Sequence, residues 1–201
     1  MHPYSTNSEE RLKVPFFLAV LAIGIAWVLS RLSSEMRLPF YIEVPGTFTI
    51  YIILLATFRQ YLWRFTIFHR LRVVNVPDLE GQWVGHLVSS YDQAAERQAV
   101  TIYIKQNWTH IFIKLMAPRS DSRSVVASIY TSEGEIVLDY QYKNEPHAIA
   151  VDTMHAHTGT ATLDIGEGLD AMEGDYYSGR DRANHGRLML HRQTNTPPLA
   201  R

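Results

Sequence analysis

The sequence predicts two N-terminal transmembrane α-helices followed by an all-β, antiparallel up-and-down barrel of about eight strands. Three observations predict it. Val14 to Leu29 carries no charged or strongly polar side chain. Val44 to Phe58 nearly repeats that texture, broken only by Thr47, Thr49 and Thr57. From about Asn75 onward apolar and polar residues alternate in short runs separated by Gly, Asn, Asp and Pro. The expected organisation is a membrane domain over 1–73, a barrel over 74–193 and a tail over 194–201. With 201 residues the chain has room for one such domain beside its spans.

A helix rises about 1.5 Å per residue, so roughly 20 residues cross a hydrocarbon core about 30 Å thick. The first span is expected over about 14–32. Lys13 and Arg31 flank it and can snorkel to the headgroups, and Trp27 sits where an interfacial aromatic belongs. A cleaved signal peptide is the rival reading, but no A-x-A-like site follows the run. The second span is expected over about 44–63. Pro45 suits a first helical turn, and Arg59 and Arg64 mix with Tyr61, Trp63 and Phe65 as the chain leaves the bilayer. Its rival is a buried helix of a soluble domain. Arg11 and Lys13 precede the pair and Arg59, Arg64, Arg70 and Arg72 follow it, against Arg31 and Arg37 in the loop. Positive-inside counting therefore expects a multi-pass inner-membrane protein with both termini and the barrel in the cytoplasm.

Period-2 alternation marks the strands. It runs through Gln82 to Val88, Gln98 to Gln106, Ile111 to Leu115, Ser124 to Ile129, Glu135 to Tyr142, Thr158 to Ile165, Met172 to Tyr177 and Gly186 to Arg192. Eight short antiparallel strands suit a closed barrel, which has no free edge and an interior sized for side chains or one small ligand. A two-sheet sandwich is the alternative. Gly81-Gln82-Trp83 is similar to the G-x-W that opens lipocalin-like barrels. There an indole plugs the closed end, often beneath an arginine of the last strand, a part Arg192 can play.

A net charge of -1 supplies no field for gathering DNA or long RNA. The absence of cysteine excludes disulfides, thiol catalysis and Cys-ligated zinc. His155 and His157 share a face near His147 and Asp152, but neither a third ligand nor an H-E-x-x-H pattern joins them. No metal, cofactor or enzymatic activity is expected.

Several pieces recur in an order that covers nearly the whole chain: Gly81-Gln82-Trp83-Val84-Gly85, Ile104-Lys105-Gln106-Asn107-Trp108 and Ser122-Arg123-Ser124 come first. Tyr140-Gln141-Tyr142-Lys143-Asn144, His157-Thr158-Gly159-Thr160-Ala161, Glu173-Gly174-Asp175-Tyr176-Tyr177 and Arg180 follow. After two spans, this set resembles the two-transmembrane β-barrel effector of CBASS, the cyclic-oligonucleotide-based anti-phage system whose members accompany a CD-NTase signalling enzyme. The stretch His147 to His157, apart from His157 itself, lies outside the matching pieces. The resemblance implies that the barrel senses a cyclic dinucleotide. Binding would drive homo-oligomerisation and disruption of the inner membrane, killing the infected cell. A membrane-tethered lipocalin-like barrel for an apolar ligand, or a scaffold, is the alternative.

A cyclic dinucleotide needs cations or N–H groups for two phosphates and aromatic faces for two bases. Arg180 and Arg182, in the loop before the last strand, offer planar forks for phosphate. Arg123 and Lys143 are further cations, with solvated surface charge as the competing reading for all four. Tyr140, Tyr142 and Tyr176 fall on inward faces and either stack on bases or pack the core. Gln106 either reads a base edge or clasps a neighbouring strand, and Trp108 either stacks or packs near a hairpin turn. Ser122 and Ser124 are candidate phosphate donors. Asn144 and His157 complete the expected ligand-binding set from the matching pieces.

Overall fold

The strands of the alternating region form one antiparallel meander whose last member returns to its first. The computed structural model describes residues 1–36, 46–90, 97–132, 134–148, 155–179 and 184–193. The meander consists of β2 (Gly81–Ser89), β3 (Arg97–Gln106), β4 (His110–Met116), β5 (Ser120–Ser132), β6 (Glu135–Pro146), β7 (His157–Ile165), β8 (Ala171–Ser178) and β9 (His185–Arg192). β9 pairs with β2 from Trp83↔Arg192 to Ser89↔Gly186, closing a barrel. Alternation does the sorting: Val100, Ile102 and Ile104 of β3 point inward beside Ile111 and Ile113 of β4, and all are buried. Each such side chain contributes roughly 1.5–3 kcal/mol by leaving water.

The expectation of about eight strands misses one. β1 (His2–Ser5) is a ninth, set between β4 and β5. Those two pair directly only beside their hairpin, at Lys114↔Arg123, Leu115↔Ser122 and Met116↔Asp121. Beyond it they part, and β1 fills the wedge. It runs antiparallel to β4 at His2↔Ile111 and Pro3↔His110, and parallel to β5 at Tyr4↔Ala127 and Ser5↔Ser128. Four residues, one of them proline, carry no readable period. This strand exists because of its partners.

The closed end is plugged from several segments. Trp83 is fully buried, its Nε1–H donating to the Leu79 carbonyl at 3.0 Å. The Arg192 guanidinium stacks 5.5 Å above the indole and donates to the Glu80 carbonyl. Gln106 accepts the Leu79 N–H at 2.8 Å and donates to the Pro77 carbonyl at 3.0 Å. The Asn107 carboxamide accepts N–H bonds from Thr109 and His110, fixing the β3–β4 turn around Trp108.

The chain divides into two compact units, Met1–Asn7 with Val76–Arg201, and Ser8–Asn75. The first seven residues thus belong with the barrel. In the second unit α1 (Glu10–Met36) has 27 residues, about 40 Å of helix, and Phe16, Phe17, Leu21, Ile23 and Trp27 are exposed along it. Among the described residues it alone is long and apolar enough to cross a membrane. The helix expected over 44–63 is shorter than that: α2 (Thr47–Gln60) spans 14 residues, about 21 Å. The chain then breaks into a 3-10 turn (Leu62–Arg64) and α3 (Thr66–Arg70). An edge-to-face contact of 5.5 Å between Phe58 and Phe68 holds α3 to α2. The Asn75 N–H donates to the Glu10 carboxylate at 2.6 Å, returning the unit to its own start.

Candidate functional site

At the barrel end opposite Trp83 the polar termini of the strands meet, among them Ser89, Ser120, Asn144, His157 and Ser178. A cavity of about 110 Å³ opens at this end. Its depth is apolar and aromatic: Leu87, Leu115, Leu188, Tyr140, Tyr142 and Tyr176. Nearer the mouth come Ser89, Gln98, Ser120, Ser122, Asn144, His157, Ser178 and Asn184, with Arg119 supplying a cation. The gradient follows from the strands themselves. On β6 the inward positions run Leu138, Tyr140, Tyr142, Asn144, from core to mouth, and all four are buried.

Glycine makes room for the tyrosines. A side chain at Gly159 would put its Cβ 2.3 Å from the Tyr142 hydroxyl, and one at Gly186 would put it 2.6 Å from the Tyr176 ring. Both rings therefore lie across the backbone of a neighbouring strand. Burial raises the Tyr142 phenol to about 12, with the Tyr176 hydroxyl adding to the rise and a bond to Ser178 opposing it. Burial, then Tyr142, pushes Tyr140 higher still. Both hydroxyls stay neutral and able to donate across the physiological range.

Outside the mouth, Asp121 accepts bonds from Lys114 at 2.8 Å and His147 at 3.2 Å. Burial alone would raise its carboxyl, but the hydrogen bonds and charges of those two partners outweigh it and hold the group below the usual carboxylate range. Arg123 and Lys143 both face Glu145, at 3.7 and 3.4 Å, on the outer wall. They do not line the cavity.

Of the expected ligand-binding residues, Ser122, Tyr140, Tyr142, Asn144, His157 and Tyr176 come together around the cavity. Three others sit elsewhere. Gln106 is engaged with Leu79 and Pro77 at the closed end, as the clasp reading has it. Trp108 is buried in the β3–β4 turn, its carbonyl accepting the Tyr4 hydroxyl at 2.9 Å. Ser124 accepts the Ile113 N–H at 2.9 Å and meets His2 Nε2 at 2.7 Å, knitting β1 to the wall. Arg180 and Arg182 lie outside the described residues, as does Asp152 of the histidine cluster. Among the described residues no three His, Asp or Glu side chains form a metal-ligand set. Sequence reasoning passed over Gln98, Arg119, Ser120 and Ser178. Gln98 and Ser178 were within reach by carrying each inward alternation one step further toward the strand end, whereas Ser120 was not, because a register shift between Ser124 and Val126 changes which residues of β5 face inward.

Residues 74–192 match the family model described as Cap15, cyclic dinucleotide receptor domain. CD-NTase-associated protein 15 of Yersinia aleksiciae is 32% identical over 146 residues, covering 71% of this chain and 67% of that relative. The match coincides with the barrel that holds the cavity, and the chain belongs to the Cap15 family of cyclic dinucleotide receptors, effectors of the CBASS anti-phage system.

Proposed function

We propose that a cyclic dinucleotide seats at the open end of the barrel, that occupied protomers assemble, and that their helical units then breach the inner membrane of the infected cell. The observation that carries this reading is the lining of the cavity: tyrosine faces in depth, hydroxyl and amide groups around the mouth, and Arg119 beside them. A receptor for two bases and two phosphates needs that combination. The reading is of a receptor, without catalysis.

Size constrains the pose. A cavity of about 110 Å³ that opens to solvent does not enclose two whole nucleotides. One base therefore enters among the tyrosines, and the phosphates stay at the mouth near Arg119. Charge-assisted bonds to phosphate are worth roughly 1.5–3 kcal/mol each, so a single fork contributes a large share of the affinity.

The N-terminal strand supports a two-span membrane unit. β1 and β2 to β9 make one barrel, so both lie on the same side of any membrane. If α1 crosses, the chain must cross again before Val76. The intervening candidate is α2, extended by the aromatic and basic residues after it. Its shortness is accommodated by local thinning of the bilayer and by snorkelling of Arg59 and Arg64. The positive-inside count then assigns both termini to the cytoplasm, where such a messenger would be made.

Calorimetry of the full-length chain in detergent, titrated with 3′,3′-linked cyclic dinucleotides of all base combinations, tests the reading. At least one member binds with one molecule per barrel, and chemical cross-linking shows larger assemblies in its presence. No binding by any member, together with co-purified lipid retained in native mass spectrometry, would replace this reading with that of an apolar carrier.

A further inference from the structure

The sheet register places five inward side chains in one line across the wall. Tyr4 stands beside Ala127, Ala127 beside Tyr140, Tyr140 beside Ala161, and Ala161 beside Tyr176. All are buried. Large and small residues alternate, so each ring occupies the space its alanine neighbour leaves. Tyr140 and Tyr176 line the cavity, whereas Tyr4 belongs to β1.

β1 is a separable part of the wall. Removing it would leave the β2–β9 meander closed, because β9 pairs with β2 and β4 still meets β5 at their hairpin. It pairs at two positions with β4 and two with β5. Side chains add to this hold: the Tyr4 hydroxyl donates to Trp108, His2 meets Ser124, and Asn7 brackets the Thr131 backbone with bonds of 2.9 and 3.3 Å. Only four residues separate Ser5 from the start of α1 at Glu10.

We propose that the groove between β4 and β5 is a strand-accepting surface whose occupant, the N-terminal segment, is expelled when ligand enters the cavity. The proposal rests on the ligand reading above. Its sign follows from how firmly each end of the row is held. A base seated among the tyrosines presses on Tyr140, which lines the cavity and stands in the row. Displacement of Tyr140 toward Ala161 is opposed by Tyr176, whose ring is already packed against Gly186 within the long β7–β8–β9 ladders. Displacement toward Ala127 meets Tyr4, held by the short β1. The weaker side gives way, Tyr4 loses its seat, and the segment leading into α1 is freed. By linkage, fastening β1 must weaken ligand binding by the factor by which ligand loosens β1.

The chain has no cysteine, so a designed pair reports on the latch without background. Ser5 and Ser128 are register partners on the outer face, and the S5C/S128C double variant of the full-length protein should form an intrachain disulfide on mild oxidation. The probes are 3′,3′-linked cyclic dinucleotides of uridylate, adenylate and guanylate in all pairings, with affinity followed by calorimetry. The binding member should slow disulfide formation about tenfold, and the oxidised variant should bind it about tenfold more weakly than the reduced one, within the usual range of such couplings. Equal binding by both forms with an unchanged cross-linking rate overturns the latch and leaves the ligand reading standing. Binding of no probe to the wild-type chain overturns both. Should the double variant not fold, hydrogen exchange at the His2, Tyr4 and Ser5 amides of the wild-type protein decides: acceleration by ligand supports the latch, and unchanged protection overturns it.

Discussion

Arg119 stands exposed at the cavity mouth, on the turn between β4 and β5. In the proposed pose its fork adds a charge-assisted bond worth roughly 1.5–3 kcal/mol, so Arg119→Ala should weaken ligand binding by about 10–100-fold in calorimetry. Its melting temperature should stay near that of the wild type, because the residue packs no core. Trp83→Ala should behave the opposite way. Truncating a fully buried indole at the closed end costs about 3–5 kcal/mol, seen as a large loss of melting temperature. Between these extremes lies Gly159→Ala. The new Cβ would meet both the Tyr142 ring and the Tyr177 carbonyl at about 2.4 Å, so the ring must leave its place. Overpacking of this kind costs about 1–3 kcal/mol and should impair binding along with stability.

Titration belongs to the hairpins and ladders that carry the groups. Asp121 ties β4 to the residue that follows β6 through Lys114 and His147, and its carboxyl is held below the ordinary range. A depressed carboxylate stabilises the fold fully above its unfolded value, about 3.9, and loses that contribution as pH falls through the folded value. Unfolding by urea should therefore become easier below about pH 4 in the wild type, with a smaller change in Asp121→Asn. Tyr142 carries the opposite sign, because its phenol is raised to about 12. Its stabilisation is complete below the unfolded value of about 10 and disappears as pH rises toward the folded one. Ultraviolet titration should show a tyrosinate fraction that appears only with alkaline unfolding. A smooth titration of every tyrosine near pH 10 in the folded barrel would contradict the described burial.

For the whole molecule, the decisive feature is that β1 precedes the helical unit while β2 to β9 follow it. Reporter fusions or protease accessibility in cells should find the N-terminus and the C-terminal barrel on the same, cytoplasmic face. Termini on opposite faces would mean either that α2 does not cross or that β1 leaves the barrel before insertion. The family assignment to cyclic dinucleotide receptors covers residues 74–192, and so the part of the chain that holds the cavity.

The sequence alone was sufficient for the eight meander strands, because an alternation of two residues is written into every run whose one face is buried. Trp83 beneath Arg192 was legible for a related reason, since a glycine-led tryptophan and a final arginine occupy fixed ends of the barrel. The first long apolar helix was equally plain, whereas the second breaks after Gln60 in a way its composition does not announce. Tertiary structure decided the rest. Gln106 and Tyr140 both follow an inward alternation, yet one lies at the plugged end and the other beside the cavity, and only the direction of each strand separates them. Arg119 carries no pattern at all, because a turn residue acquires its neighbours from strands distant in sequence. β1 is the extreme case: its four residues have no period and become a strand only where β4 and β5 diverge enough to leave their backbone hydrogen bonds without partners.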